Sequence, residues 1–192
     1  PTFRIDKFLY GFHPEQIAPD DIYPWQHYGF AGGTLADYVA LMRDTVRQRH
    51  AAGLVAALKC AEAYNRGLDL AEDDREAAEA VFGKSPSLVS AEAKRLFSNY
   101  IFHRCCELAV ELDVPFQIHT GLADLKGSNP MQLIPILERY PQARFVLFHT
   151  GYPWTAEAAG LAHNYANVLP SLTWTATICT TAAIRALHDL ID

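Results

Sequence analysis

Two histidines stand at the ends of two similar apolar runs. The runs are FQIHTG at 116–121 and FVLFHTG at 145–151, and His119 and His149 lie 30 residues apart. Such a run is typical of a strand buried on both faces of a parallel sheet, and one strand–helix unit takes roughly 30 residues. Because parallel strands end at the same edge of a sheet, we predict that both imidazoles lie there and share one ion or one substrate. The alternative for either histidine is a hydrogen bond within its loop.

A lysine holds the matching position in a third run. GLVAALKC at 53–60 is a short apolar stretch with Lys59 near its end. Burial favours the neutral amine of a lysine, and a neutral amine can take part in chemistry. The alternative is a lysine that extends past the loop into solvent.

Four further side chains follow the predicted strand ends closely enough to line a substrate pocket. They are Arg66, Tyr64, Tyr152 and Trp174. Arg66 can hold a carboxylate with two hydrogen bonds, or it can form a surface ion pair with Asp69 or Glu72. The alternative for the three aromatic residues is packing in the core or in a loop.

The composition fits one packed domain that acts on a small molecule. The chain has 192 residues, 50% of them hydrophobic, and a formal net charge of −6. The negative charge and the lack of a basic cluster argue against nucleic acid or an anionic membrane as the main partner. No run approaches the ~20 apolar residues of a membrane span, and the start shows no signal-peptide pattern. We therefore expect a soluble, cytoplasmic protein with a small-molecule substrate.

The four cysteines show no metal-binding or disulfide pattern. Cys105 and Cys106 are adjacent on a predicted helix, where neighbouring side chains diverge by about 100°. Cys60 and Cys179 stand alone in the sequence. All four are expected to be reduced thiols packed as small hydrophobic side chains.

The hydrophobic periodicity predicts an α/β fold with parallel strands that alternate with helices. Residues 1–33, rich in proline, glycine and aromatic residues, are expected to be mostly loop. The predicted helices span 35–52, with Thr34 as N-cap, 72–82, 90–112, with Ser90 as its candidate N-cap, 130–140, 155–165 and a last stretch to 192. The predicted strands span 53–60, 114–119, 145–149 and 168–172.

Several phrases together resemble the amidohydrolase-related family of metal-dependent barrels. The phrases are VPFQIHTG at 114–121, GSNP at 127–130, RFVLFHTGYP at 144–153, LK at 58–59, AYNRGL at 63–68 and YANV at 165–168. The most similar branch occurs alone or fused to glutamine synthetase-like domains, and the resemblance runs from about residue 34 to about residue 175.

The resemblance implies part of a TIM-type (β/α)8 barrel with one or two divalent ions, usually zinc, at the carboxyl ends of its strands. It makes His119 the ligand from the fifth strand and Lys59 the lysine of the fourth strand, which some members carboxylate. His149 becomes the histidine of the sixth strand, either a ligand or the catalytic base that assists a metal-bound water.

Two elements of the family pattern are missing from the sequence. The first strand of the family carries His-x-His and the eighth a Gly-Ser-Asp phrase, and neither occurs here. Such a barrel takes about 250 residues. Residues 1–192 are therefore expected to form a single incomplete barrel domain, either an interior piece of a longer chain or a chain that associates with itself to cover its sheet edges.

Three functions follow as hypotheses. The first is metal-dependent hydrolysis of a C–N or C–O bond in a small polar substrate. The second is non-oxidative decarboxylation at the same metal centre. The third is a noncatalytic α/β module that serves binding or assembly, because two histidines and one lysine are few ligands for zinc.

Overall fold

The structure is a computed structural model, and it describes residues 1–191. Its strands are β1 (Thr2–Arg4), β2 (Ala57–Cys60), β3 (Phe116–His119), β4 (Phe145–Phe148) and β5 (Val168–Ser171). Its helices are α1 (Pro24–Tyr28), α2 (Leu35–Ala51), α3 (Arg75–Val81), α4 (Ala91–Glu111), α5 (Ile134–Arg139), α6 (Thr155–Asn164), α7 (Thr175–Ile178) and α8 (Thr180–Ile191). Strands and helices alternate from β2 onward, which confirms the predicted α/β class.

The chain divides into two compact units. The first comprises Pro1–Leu58 and Glu72–Leu112, and the second comprises Lys59–Ala71 and the chain from Asp113 onward. No helix in residues 1–191 is long and apolar enough to cross a membrane.

The first unit is built around buried aromatic rings. Tyr38 of α2 is fully buried, its hydroxyl donates to the carbonyl of Phe8 at 3.1 Å, and its ring contacts Phe82 and Phe97 at centroid distances of 5.7 and 6.4 Å. Gly11 lies so close to Tyr38 that a Cβ there would come within 1.8 Å of the Tyr38 hydroxyl. A glycine is therefore required at position 11.

The second unit contains the parallel strands that carry the histidines. β3 pairs with β4 and β4 pairs with β5, both in parallel, so that Phe116, Phe145 and Val168 lie side by side. The rings of Phe116 and Phe145 are fully buried and stack at 6.2 Å. This register brings His119, at the end of β3, level with Phe148, the residue before His149.

Local signals determined where the helices begin. Thr34 caps α2 as predicted, and the Asp37 carboxylate accepts a hydrogen bond from the Thr34 backbone N–H, which completes a capping box. Ser90 and Asn129 also cap the segments that follow them. The helix predicted from residue 72 begins at Arg75 instead, because the Asp74 side chain accepts a hydrogen bond from Ala77 and serves as its N-cap.

Further expectations from the sequence need correction. The strand predicted from residue 53 begins at Ala57, because Gly53 and Leu54 bond back to the carbonyls of His50 and Arg49 and so end α2. The predicted N-terminal loop is interrupted by β1, by a 3-10 turn at Asp6–Tyr10 and by α1, which begins at a proline.

The last predicted helix is two helices. Cys179 has an extended backbone, with φ −156° and ψ 101°, and it separates α7 from α8. The predicted end of that helix at Asp192 lies outside the described residues.

Candidate metal site

The two histidines lie against each other within the second unit. Nε2 of His149 is 3.2 Å from Nδ1 of His119, and the ring centroids are 4.6 Å apart. Only 3% of His119 and 4% of His149 is exposed. The structure therefore brings together the pair that the repeated phrases predicted at one edge of the sheet.

Backbone carbonyls determine which nitrogen of each ring carries the proton. Nε2 of His119 lies 3.0 Å from the carbonyl oxygen of Leu122, and Nδ1 of His149 lies 2.6 Å from that of Thr173. A carbonyl oxygen only accepts, so each of these two nitrogens must be the N–H. In the neutral rings, the two nitrogens that face each other are then both without a proton.

Two unprotonated ring nitrogens at this distance can bind the same cation. Zinc binds histidine nitrogen at about 2.0–2.1 Å, so two nitrogens on one tetrahedral ion lie about 3.3 Å apart. The observed 3.2 Å matches that spacing. Metal-binding histidines also commonly donate their second ring nitrogen to a carbonyl or carboxylate, as both rings do here. The pair therefore fits a divalent ion.

The surroundings favour the neutral imidazoles that a metal requires. Burial lowers the pKa of His119 to about 4, and the neighbouring His149 and Lys59 act in the same direction. Burial and the charge of Lys59 also lower the pKa of His149. Each carbonyl hydrogen bond opposes the shift but does not reverse it.

The turn that carries His149 has an unusual backbone. His149, Thr150 and Gly151 have φ values of +63°, +47° and +66°, in the left-handed region that L-residues with a Cβ rarely occupy. A neighbouring glycine is also required, because a Cβ on Gly121 would come within 2.2 Å of the Tyr152 carbonyl oxygen. The sequence TG after each histidine is therefore part of what places the two rings.

Lys59 lies in β2 with its charge over an aromatic ring. Its Nζ is 3.3 Å from the ring centroid of Phe148, the residue directly before His149. A cation held over a ring face is attracted by the electron density of that face. Lys59 thus lies within electrostatic range of both histidines, whose pKa values it lowers.

Two of the predicted substrate-binding residues contact the histidine rings. Tyr64 packs on His119 at a centroid distance of 4.1 Å, and Trp174 stacks on His149 at 5.4 Å with the planes 16° apart. Tyr64 is 54% exposed and Trp174 is 65% exposed. Tyr152 reaches the same region through its backbone, whose N–H donates to the carbonyl of His149. The buried pair is flanked by two rings open to solvent.

Arg66 is held by a residue that the sequence reasoning did not identify. Its Nε donates to a carboxylate oxygen of Glu62 at 3.1 Å, and its Nη1 donates to the Asp69 carbonyl at 3.2 Å. Glu62 is completely buried. The opposite charges of Glu62 and Arg66, four residues apart, are the sequence signal for this pair, and a short 3-10 turn at Glu62–Tyr64 brings them together.

The remaining candidate ligands lie elsewhere. Within residues 1–191, no group of three His, Cys, Asp or Glu side chains is placed to hold one metal ion. The thiols of Cys60, Cys105 and Cys106 are buried and that of Cys179 is half-buried, and none of the four is in a disulfide.

Two solved structures share the fold. A metal-dependent hydrolase from Lactobacillus casei, described as putative, superposes with a TM-score of 0.76 and 20% identity, over 100% of this chain and 48% of that one. The uronate isomerase of Thermotoga maritima superposes with a TM-score of 0.66 and 18% identity, over 88% of this chain and 42% of that one. These likenesses confirm that the strands and helices are part of a TIM-type barrel.

The sequence has a curated relative in Protein fluG of Emericella nidulans. The two are 31% identical over an alignment of 148 positions, which covers 69% of this chain and 17% of the relative. The chain thus spans less than a fifth of that relative and about half of each solved structure. A family model described as Amidohydrolase matches residues 26–190. With most of its length matched by that model, the chain belongs to the amidohydrolase family.

Proposed function

We propose that this chain carries part of the active site of a divalent-metal-dependent hydrolase and that His119 and His149 are ligands of one zinc ion. The observation that supports the proposal is the pair of facing, unprotonated nitrogens 3.2 Å apart. Membership of the amidohydrolase family and the fold shared with a metal-dependent hydrolase support the same assignment.

The ring geometry limits what His149 can do. Its Nδ1 is occupied by the carbonyl of Thr173, so Nε2 is the nitrogen available either to bind the ion or to accept a proton as general base. His119 presents only Nδ1 for the same reason. A bound zinc ion polarises a substrate carbonyl and makes a water molecule acidic enough to attack at neutral pH. In this arrangement His119 and His149 hold the ion, and their burial keeps competing water away.

Lys59 is the third proposed ligand. As an ammonium it would repel a divalent cation, whereas a neutral amine would offer its nitrogen lone pair and a carboxylated lysine would offer a carboxylate oxygen. The ring of Phe148 holds Nζ within electrostatic range of the two imidazoles. Lys59→Met keeps the length of the side chain and removes the amine, so it is expected to weaken zinc binding if Lys59 is a ligand and to strengthen it if the charge is retained.

The substrate is proposed to be a small molecule that lies against Tyr64 and Trp174. Tyr64 and Trp174 are mostly exposed and each contacts one histidine, so a ligand that covers them lies beside the two imidazoles. Tyr152 and Arg66 are the other proposed contributors. Arg66 is already bound to Glu62, which leaves it a smaller share of any substrate carboxylate.

Zinc titration of the 192-residue chain tests the proposal. Competition with a chromophoric chelator is expected to show saturable binding that is lost in His119→Gln and in His149→Gln. The matched control is His163→Gln, because His163 is exposed and also bonds a backbone carbonyl, that of Asp189, at 2.7 Å. Equal zinc binding by His119→Gln and the wild type would contradict the assignment.

The zinc-loaded protein then serves to identify the reaction. A panel of small amides, esters and carboxylic acids is scored for released amine or acid and for released carbon dioxide. Hydrolysis is the expected result. Release of carbon dioxide alone favours the decarboxylase. Because this chain is proposed to hold only part of the site, zinc binding without turnover favours a binding or assembly module only if the full-length protein is also inactive on the same panel.

A further inference from the structure

The segment Thr173–Thr175 contacts the His149–Thr150 turn through three successive residues. The Thr173 carbonyl accepts from Nδ1 of His149, and the Trp174 ring stacks on the imidazole. The Thr175 hydroxyl bonds the Thr150 hydroxyl at 2.9 Å. The first two contacts involve the His149 ring itself. The third joins Thr150, the residue after His149, to Thr175, the residue after Trp174.

The hydroxyl pair is the buried part of this contact. Thr150 and Thr175 are both fully buried, whereas Trp174 is 65% exposed. A hydrogen bond between two buried hydroxyl groups keeps the two segments at a fixed distance, because each hydroxyl would be left buried without a partner if the segments moved apart. Thr175 also begins α7, and its N–H donates to the Leu172 carbonyl at 2.9 Å, so its position is fixed from both sides.

Both ends of the contact have a backbone that needs external support. Thr150 has φ +47° and Trp174 has φ +62°, and neither is a glycine. Such residues persist only where surrounding contacts hold them. Thr120 adds one such contact, because its hydroxyl donates to the Phe148 carbonyl at 2.7 Å. The Thr150–Thr175 hydrogen bond joins one of these left-handed residues to the direct chain neighbour of the other.

We propose that the hydrogen bond between the hydroxyl groups of Thr150 and Thr175 positions His149 for the metal site. This bond keeps the Thr173 carbonyl on Nδ1 of His149, so that the proton stays on Nδ1 and the unprotonated Nε2 faces His119. Neither threonine touches the ion. The expected effect on zinc affinity rests on the proposed function. The effect on the tautomer of His149 does not, because that tautomer is already set in the metal-free chain.

Valine substitutions test the pair, because valine keeps the shape of threonine and removes the hydroxyl. Thr150→Val and Thr175→Val each leave one buried hydroxyl without its partner, whereas the double variant removes both. We expect all three variants to lower the zinc affinity of the 192-residue chain by about tenfold. This is the smaller end of the loss in metal affinity that follows when a residue supporting a metal ligand is replaced. The double variant is expected to regain part of the thermal stability lost in the single variants but none of the zinc affinity.

Two readouts separate positioning from a general loss of structure. Two-bond ¹H–¹⁵N correlation spectra of the metal-free chain show which nitrogen of His149 is protonated, and we expect a single Nδ1–H tautomer in the wild type and a mixture in the double variant. Thr150→Ser and Thr175→Ser keep the hydroxyl and are expected to restore both the tautomer and the zinc affinity. Thr180→Val, which removes an exposed hydroxyl bonded to the Ala176 carbonyl, is expected to change neither.

The outcomes distinguish this inference from the proposed function. If the wild-type chain fails to bind zinc but the double variant loses the single tautomer, the positioning role stands and the proposed function fails. If the double variant keeps the wild-type tautomer and zinc affinity, the positioning role is overturned whatever the stability of the variants.

Discussion

Nε of Arg66 donates to the carboxylate of Glu62 at 3.1 Å, and that carboxylate is completely removed from solvent. The backbone N–H of Arg66 also donates to the Glu62 carbonyl at 3.0 Å. The pair therefore fixes the loop after β2, the same loop that places Tyr64 on the ring of His119.

Removing the Glu62 charge is expected to destabilise the second unit. Glu62→Gln removes the buried negative charge opposite the mostly buried Arg66, and breaking a buried pair from one side costs about 3–5 kcal/mol. Because Arg66 keeps some access to water, we expect a loss of about 2–3 kcal/mol in urea unfolding. The matched control is Glu79→Gln, which breaks an exposed Arg75–Glu79 pair at the same four-residue spacing and is expected to leave the unfolding midpoint unchanged. Equal effects of the two substitutions would contradict this view of Glu62.

The metal-free chain is expected to lose stability as the pH falls below about 6.5. The folded state holds the pKa of His119 near 4, below its ordinary value of 6.5. Between these pH values the unfolded chain binds a proton that the folded chain does not. The free energy of unfolding therefore decreases as the pH is lowered, and it levels off below the pKa of His119 in the folded state. We expect a loss of about 1–2 kcal/mol after allowing for partial access of water to the ring.

Urea titrations in EDTA at a series of pH values measure this dependence. His119→Gln is expected to reduce it and to leave the part that comes from His149, whose pKa is also lowered, and the exposed His163→Gln is expected to leave it as in the wild type. A dependence of the same size in His119→Gln would show that other groups cause it.

The four thiols are expected to differ strongly in reactivity. Cys60, Cys105 and Cys106 are buried, and burial also raises the pKa of the Cys105 thiol, which suppresses its reactive thiolate. In the native chain, a disulfide reagent such as DTNB is expected to label Cys179 rapidly and the other three only on unfolding. Cys179→Ser should abolish the rapid phase. Rapid labelling of Cys105 or Cys106 in the folded chain would contradict the packing described here.

The stacked rings of Phe116 and Phe145 are expected to contribute strongly to the stability of the sheet. Both rings are fully buried, and Phe145→Ala removes one of them from the centre of β3–β4–β5. Truncation of such a ring costs about 3–5 kcal/mol, whereas Phe145→Leu is expected to cost about 1–2 kcal/mol. The control on a neighbouring strand is Leu169→Ala, because Leu169 is 48% exposed. This substitution is expected to change the unfolding free energy by less than about 0.5 kcal/mol. A small effect of Phe145→Ala in urea unfolding would contradict the assigned core.

The sequence determined the features that depend on neighbours along the chain. Apolar runs set β3 and β4, Thr34 and Ser90 set the starts of α2 and α4, and the repeated His-Thr-Gly phrase put each histidine where its strand ends. These predictions succeeded because periodicity and capping act over a few residues. The resemblance to the amidohydrolase-related family rested on the same phrases, and the family match confirms it.

Tertiary structure alone decided which atoms meet. The tautomer of His149 depends on a carbonyl 24 residues away, and the cation of Lys59 rests on Phe148 in another strand. Such contacts are absent from local patterns, because they arise where separate loops converge after the sheet has formed. The sequence by itself thus determined that His119 ends one parallel strand and that His149 directly follows the next, and only the folded loops decided that Nδ1 of His119 faces Nε2 of His149.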